Sequence, residues 1–216
     1  MNILPMVQLL DSAPEAGGYA ECFQLEHLIA AGKLSQPDQV ENFIIRALKS
    51  AIGPLEGFAT GAVFEASRQG NFSALPALAH ELCTSHAPES LQRASLNTGR
   101  QVWETSRRWT WAVSIHDQLD EVTELTGHFY AVVFGALISD ATAQRARAVA
   151  ACLLSTVRSL VICAARYLPM DAIQSQRMVS DIQPTISELA LAYSQPDAVA
   201  PPISDPAAVI AQLTAK

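Results

Sequence analysis

Apolar residues recur along this chain at steps of three and four rather than two. Val40, Phe43, Ile44, Ala47 and Leu48 form one such stripe, the mark of an amphipathic helix. Pro37 suits the first turn of that helix, Ser35 can cap it, and Asp38 and Glu41 sit in its opening turns, where negative charge is favoured. Gly53-Pro54 is expected to end it and start the next, which carries Gly57 and Gly61 four apart, a spacing that allows close helix contact. Further helices are predicted over 73–85, 88–109 and around 116–138. A long helix follows over 140–167, capped by Ser139 or Asp140 and closed before Pro169, and another over 171–193. Alternating β-branched runs are scarce, and no Asn-Gly or Asp-Gly hairpin turn occurs. The pattern predicts an all-α, single-domain helical bundle of roughly eight to ten helices over residues 1–193, with the helix 140–167 as its central element. Pro196, Pro201, Pro202 and Pro206 make 194–206 an extended linker. With a short weak helix at 207–215, residues 194–216 read as a proline-rich linker and tail.

Residues 148–168, AVAACLLSTVRSLVICAARYL, are long enough to span a bilayer. Arg158 stands at their centre and Arg166 near their end. A central arginine is costly in lipid, so the segment reads as a buried core helix and no membrane is expected. An arginine in such a run needs an acceptor, either an acid from the N-terminal region or a group across a two-fold axis. With 50% hydrophobic and only 16% charged residues in 216, a monomer would expose much apolar surface. The residues alone leave both solutions open, the second being a homodimer.

The net charge of −7 argues against a nucleic-acid footprint, which needs a basic stripe. The charge is uneven: residues 1–65 hold eight acids and three bases, whereas 140–170 hold four arginines and one acid. The four cysteines form no CxxC pair, and no basic segment precedes an apolar run at the N-terminus. Free thiols in a reducing, cytoplasmic setting are expected.

Searches for chemistry return little. There is no phosphate-cradling GxxxxGK[ST], no GxGxxG, no GxSxG and no HExxH. The best metal candidate is His80-x2-Cys83-x2-His86. Steps of three on a helix drift by about 60° each, so these side chains place two ligands on one ion more easily than three. The plainer reading is surface histidines beside a buried cysteine. Asp117, Asp120, Glu121 and Glu124 read as a solvated helix face. Trp103, Trp109 and Trp111 beside Arg107 and Arg108 read as core packing or a protein interface.

Four stretches in order carry a resemblance. They are Gln8-Leu9-Leu10-Asp11-Ser12-Ala13 with Gly17-Gly18-Tyr19 and Phe23-x-Leu25-Glu26; Ala94-Ser95-x3-Gly99-Arg100; Gly127-His128 followed by Val132-Val133-Phe134-Gly135; and Leu160-Val161, Ala164-x-Arg166, Pro169 and Gln176-Arg177. Together they resemble the urease accessory protein F (UreF) family over about residues 5–193. The resemblance implies an all-helical, non-enzymatic, dimeric scaffold with no intrinsic cofactor. Its partners would be UreD (also called UreH), the GTPase UreG and the urease apoprotein, with nickel handled only through them. It also implies partner-binding roles for Gly17, Gly18, Tyr19, Phe23, Glu26, Arg100, His128, Arg158 and Arg166, the first five of which would sit at a turn facing the partner.

The chain also departs from the family pattern. Pro14-Glu15 stand where the family has Leu-Pro. Glu21, Cys22 and Gln24 replace its histidine, serine and glycine, and Asp171-Ala172 replace its Gly-Gln. The family's Met-Arg-His-Glu segment and aromatic, basic C-terminus are missing; this chain ends SDPAAVIAQLTAK. That leaves an alternative open, a diverged helical interaction module with another partner and no nickel role. A third reading is a small-molecule-binding or catalytic all-α protein using His80, Cys83 and His86 or the acidic run.

Overall fold

A computed structural model of the chain describes residues 3–12, 18–84, 87–142, 144–195 and 197–213. Among these residues there is no strand, and twelve α-helical segments follow one another. They are α1 (Leu4–Ser12), α2 (Gly18–Cys22), α3 (Leu25–Ala30), α4 (Pro37–Ala47), α5 (Phe58–Arg68), α6 (Leu75–Leu78), α7 (Glu89–Ser106), α8 (Val113–Thr126), α9 (Tyr130–Ala141), α10 (Arg145–Tyr167), α11 (Ala172–Tyr193) and α12 (Pro206–Ala211). The all-α expectation holds. The count exceeds the expected one because α2, α3, α6 and α12 are only four to six residues long, too short for a period of 3.6 to show in sequence.

Two helices organise the core. Every residue of α9 except Asp140 is buried, as befits a helix that is apolar all round. It is packed by α5, α7, α10 and α1. The longer α10 packs along α11, α5, α3 and the segment between α4 and α5. Its 18-residue apolar window is 67% buried inside the protein. Length and composition alone would let α10 cross a membrane; here its apolar stripe meets other helices instead. The expected central element is thus shared, with α9 the more fully enclosed of the two.

Several predicted boundaries shift for local reasons. Gly53-Pro54 does not end a helix. The chain winds on as a π-helix over Leu48–Gly57 and passes directly into α5. Pro54 has no N–H to donate within this winding, and one residue of it, Ser50, accepts the Ser204 N–H on its carbonyl at 2.7 Å. The tail is therefore docked: Pro206 and Val209 are buried, and Ile203 packs against the core. The helix expected around 116–138 is two helices, separated at Gly127 with φ +77°, a conformation that glycine adopts without penalty. Because α9 runs through Ser139 and Asp140, these cannot cap α10, whose cap is Gln144. At α4 the cap is Gln36 rather than Ser35. Gln39 Oε1 accepts the N–H groups of both Ser35 and Gln36, at 2.8 and 3.2 Å.

The junction of α7 with α9 is a close one. A Cβ added at Gly99 would lie 1.9 Å from the His128 carbonyl oxygen and 2.7 Å from the Tyr130 nitrogen. One turn earlier, Ser95 Oγ accepts the Tyr130 N–H at 3.0 Å. That N–H is one of the donors left over at the start of α9, and its cap comes from a neighbouring helix. The Ala94-Ser95-x3-Gly99 stretch is thus the seat on which α9 begins.

Candidate functional site

The Gly17–Glu26 stretch divides between inside and outside. Gly17 lies outside the described residues. Gly18 opens α2 against α7, and a Cβ there would meet Ala94 O and Thr98 Oγ1 at 3.0 Å each. Tyr19 and Phe23 are 2% and 0% exposed. Phe23 meets Phe43 edge to face, with ring centroids 6.0 Å apart. Tyr19 Oη donates to the carboxylate of Glu56, itself fully buried on the π segment. The expectation that both aromatics face a partner is therefore corrected. Phe23 follows the last residue of α2, and its N–H still donates to the Tyr19 carbonyl at 3.0 Å, so the spacing of four puts both side chains on one side, and that side is the core. Among the described residues of this stretch's predicted contacts, Glu26 alone is exposed.

Glu26 lines an open groove of about 610 Å³ between α2–α3 and the C-terminal half of α10. Its walls include Glu21, Gln24 and His27 on one side and Ile162, Cys163, Arg166 and Tyr167 on the other. Ile162 and Tyr167 are 40% and 45% exposed, so the groove combines apolar floor with charges of both signs. Partial burial raises the Cys163 thiol above its usual range, and a hydrogen bond to Glu26 raises the Tyr167 phenol. Both are neutral near pH 7. Gln24 has φ 51° and ψ 34°, the left-handed region that costs a residue with a Cβ about 1–2 kcal/mol. It occupies the position where the UreF pattern has glycine.

Arg158, Ile162 and Arg166 stand four residues apart on the outer side of α10. Arg158 is only partly buried, and its Nη1 donates to Asp11 Oδ1 at 3.1 Å on α1. The acceptor comes from the N-terminal region of the same chain, so Arg158 demands no second copy. Arg100 and His128 form a separate cluster on the α7 side. His128 lies 5.2 Å from the Trp103 ring, with His116 on that ring at 4.2 Å and Arg107 over it at 5.5 Å. Partial burial lowers both histidines, and nearby arginines push in the same direction. His116 Nε2 sits 3.0 Å from Ser106 Oγ, yet Ser106 is completely buried and cannot meet a substrate.

The metal candidate is described only in part. His86 lies outside the described residues. Cys83 is 1% exposed, its thiol pushed well up by burial, while His80 is on the surface. Among the described residues no group of three or more His, Cys, Asp or Glu side chains is placed to hold a metal. The acids at 117, 121 and 124 are exposed, and Asp120 pairs with Arg107 at 3.6 Å. Two features escaped the sequence reading, buried Glu56 and left-handed Gln24. Glu56 follows Pro54 inside an otherwise apolar run, a signal that was available; the φ of Gln24 was visible only as a departure from glycine.

The arrangement is thus an all-helical protein whose grooved face offers docking chemistry, in a chain with no readable catalytic motif. The UreF family model matches residues 34–183, and the chain belongs to the UreF family. It is 24% identical over 195 residues to the urease accessory protein UreF of Bacillus sp. (strain TB-90), covering 90% of this chain and 86% of that one.

Proposed function

We propose that this chain is a urease accessory protein acting as a non-catalytic scaffold. It forms a cytoplasmic homodimer, binds UreD/UreH, and brings in UreG and the urease apoprotein. Nickel passes through those partners rather than onto this chain. The family match over residues 34–183 carries the reading. The groove supports it, since apolar side chains ringed by Glu21, Glu26 and Arg166 are what a specific protein contact uses at its centre and rim.

Co-expression with UreD and UreG tests this. The tagged wild-type chain should retain both partners, and the complex should contain two copies of this 23.2 kDa chain. The double reversal Glu26→Lys/Arg166→Glu should lose the partners while its helical CD spectrum is unchanged. A wild-type chain that retains neither overturns the scaffold reading. The alternative, an interaction module with another partner, is favoured by the tail. In place of the family's Met-Arg-His-Glu segment, residues 203–209 fold back onto this chain's own π segment and core.

A further inference from the structure

The tail, residues 197–213, is seated in the way a bound peptide is. After α11 the chain runs without helix over 197–205 and then forms α12. Pro206, Val209, Ile210 and Leu213 stand at i, i+3, i+4 and i+7 along α12 and the turn after it. The first two are buried, and the other two pack half-buried against the core. That is the anchor pattern of an amphipathic helix laid into a groove. Asp205 caps the helix, its side chain accepting the Ala207 N–H at 2.7 Å, and the helix rests on α4. A helix of six residues is marginal in water on its own, so the seat holds it in shape.

Yet α12 does not fill that seat. An open cavity of about 340 Å³ remains, with Ala207 and Ala211 on one side and Cys22, Gln24, Lys33 and Ser90 on the other. Ala207 and Ala211 are one turn apart, so the helix turns two of its smallest side chains toward the gap. The strap before it is no better fitted: about 320 Å³ is left between Pro201-Pro202 and the side chains of Pro54, Phe58 and Leu82. Unfilled contact is dispersion attraction forgone. The Ser204 N–H ties the strap to the Ser50 carbonyl, while Pro201, Pro202 and Pro206 have no N–H to add.

We propose that the surface under α12 is a docking groove for an amphipathic helix of a partner protein, with the chain's own tail as its occupant in cis. The helix it fits carries apolar anchors where α12 has Pro206, Val209, Ile210 and Leu213, and larger apolar side chains where α12 has Ala207 and Ala211. It begins with an acid, since Asp205 and the exposed Lys33 line the same cavity. Such a helix makes the contacts that α12 makes, fills the gap that α12 leaves, and so displaces the tail. Tethering opposes it, because a linked segment competes at an effective concentration on the order of millimolar. The site is separate from the Glu26–Arg166 groove, although Gln24 lines both, and it stands whichever partner that groove takes.

A fluorescein-labelled peptide of residues 203–213 carrying Ala207→Leu and Ala211→Leu is the probe, titrated against two full-length chains. In Val209→Asp a carboxylate takes a buried apolar position, so the tail leaves and the groove is open. Fluorescence polarisation should show the peptide binding Val209→Asp at least about tenfold more tightly than wild type, whose tail competes. Equal affinity for the two chains, or no binding by a Val209→Asp chain whose CD spectrum is unchanged, overturns the groove. The wild-type chain supplies a second measurement that stands even if Val209→Asp does not fold. In hydrogen–deuterium exchange, residues 203–213 should exchange at least about tenfold faster than α9, and faster still with the peptide present. Tail protection equal to that of α9 makes the tail a fixed part of the fold and overturns the proposal. Protection that rises with chain concentration seats the tail in a second copy and overturns it as well.

Discussion

Two stretches that carry the UreF pattern, Ala94–Arg100 with its partner Gly127–Gly135 and Gly18–Glu26, are put to opposite uses. In the first, the small residues are consumed by backbone contact. Gly99 lets the His128 carbonyl approach, Ser95 caps α9 across the helix boundary, and Gly135 sits against Val63 Cγ1, where a Cβ would be 2.9 Å away. In the second, the aromatic residues turn inward to Glu56 and Phe43, while the outward positions Glu21, Gln24 and Glu26 line a groove. The departures from the family pattern fall accordingly. Glu21, Cys22 and Gln24 are exposed or partly so, whereas Ser95, Gly99 and Gly135, which match the pattern, are buried. Resemblance in a motif can thus mark a seat for a helix as readily as a seat for a partner.

The comparison breaks first at Phe23. If α2 faced a partner, truncating Phe23 would leave stability alone and cost only binding. Buried at 0% exposure against Phe43, Phe23→Ala should instead destabilise the chain by about 3–5 kcal/mol. Urea unfolding followed by CD checks this, and a loss within roughly 0.5 kcal/mol, as at ordinary surface positions, would return Phe23 to the surface.

Gly99→Ala tests the other region. A methyl group 1.9 Å from a backbone oxygen cannot be absorbed by a rotamer change, so α7 or the start of α9 must shift. Overpacking of this kind costs about 1–3 kcal/mol, and the upper end is expected because backbone rather than a flexible side chain stands in the way. In a domain of this size that lowers Tm by roughly 6–12 °C. An unchanged melting curve would mean that the α7–α9 crossing is looser than described.

These two substitutions also mark how far the sequence could be read. The long periodic stripes of α7, α10 and α11 were legible, because their apolar residues repeat over many turns. The break at Gly127 was not, since Val122 and Val132 continue an apolar pattern across it and only backbone geometry shows φ +77°. Gly53-Pro54 misled because the chain winds through it as a π-helix, and a tertiary contact adds to that segment: the Ser50 carbonyl accepts from Ser204, about 150 residues away in the chain and beyond any local rule. The groove residues Glu26 and Arg166 could be picked out from the family pattern, whereas the direction in which Tyr19 and Phe23 point could not. Both aromatics fit an interface and a core equally well until Glu56 and Phe43 are placed beneath them. Arg158 shows the same limit from the other side, since the sequence demanded an acceptor and only the fold identified Asp11.

Gln24 offers the smallest effect and the sharpest distinction between the two regions. It alone among the described non-glycine residues has positive φ, at φ 51° and ψ 34°. Its side chain is exposed and makes no capping hydrogen bond to α3, while its backbone N–H donates to the Glu21 carbonyl at 2.9 Å. Left-handed backbone costs a residue with a Cβ about 1–2 kcal/mol. Glycine escapes that penalty but loses more conformational entropy on folding, by roughly 0.5–1 kcal/mol. Gln24→Gly should therefore stabilise the chain by a net amount on the order of 0.5–1 kcal/mol, readable as a rise in Tm of about 1–4 °C. The same substitution at Gln69 is the control: it follows α5 with φ −83°, so glycine there brings no relief and should be neutral or slightly destabilising. If Gln24→Gly also destabilises, the left-handed turn between α2 and α3 is not under strain, and the groove wall is held by something other than a joint waiting for glycine.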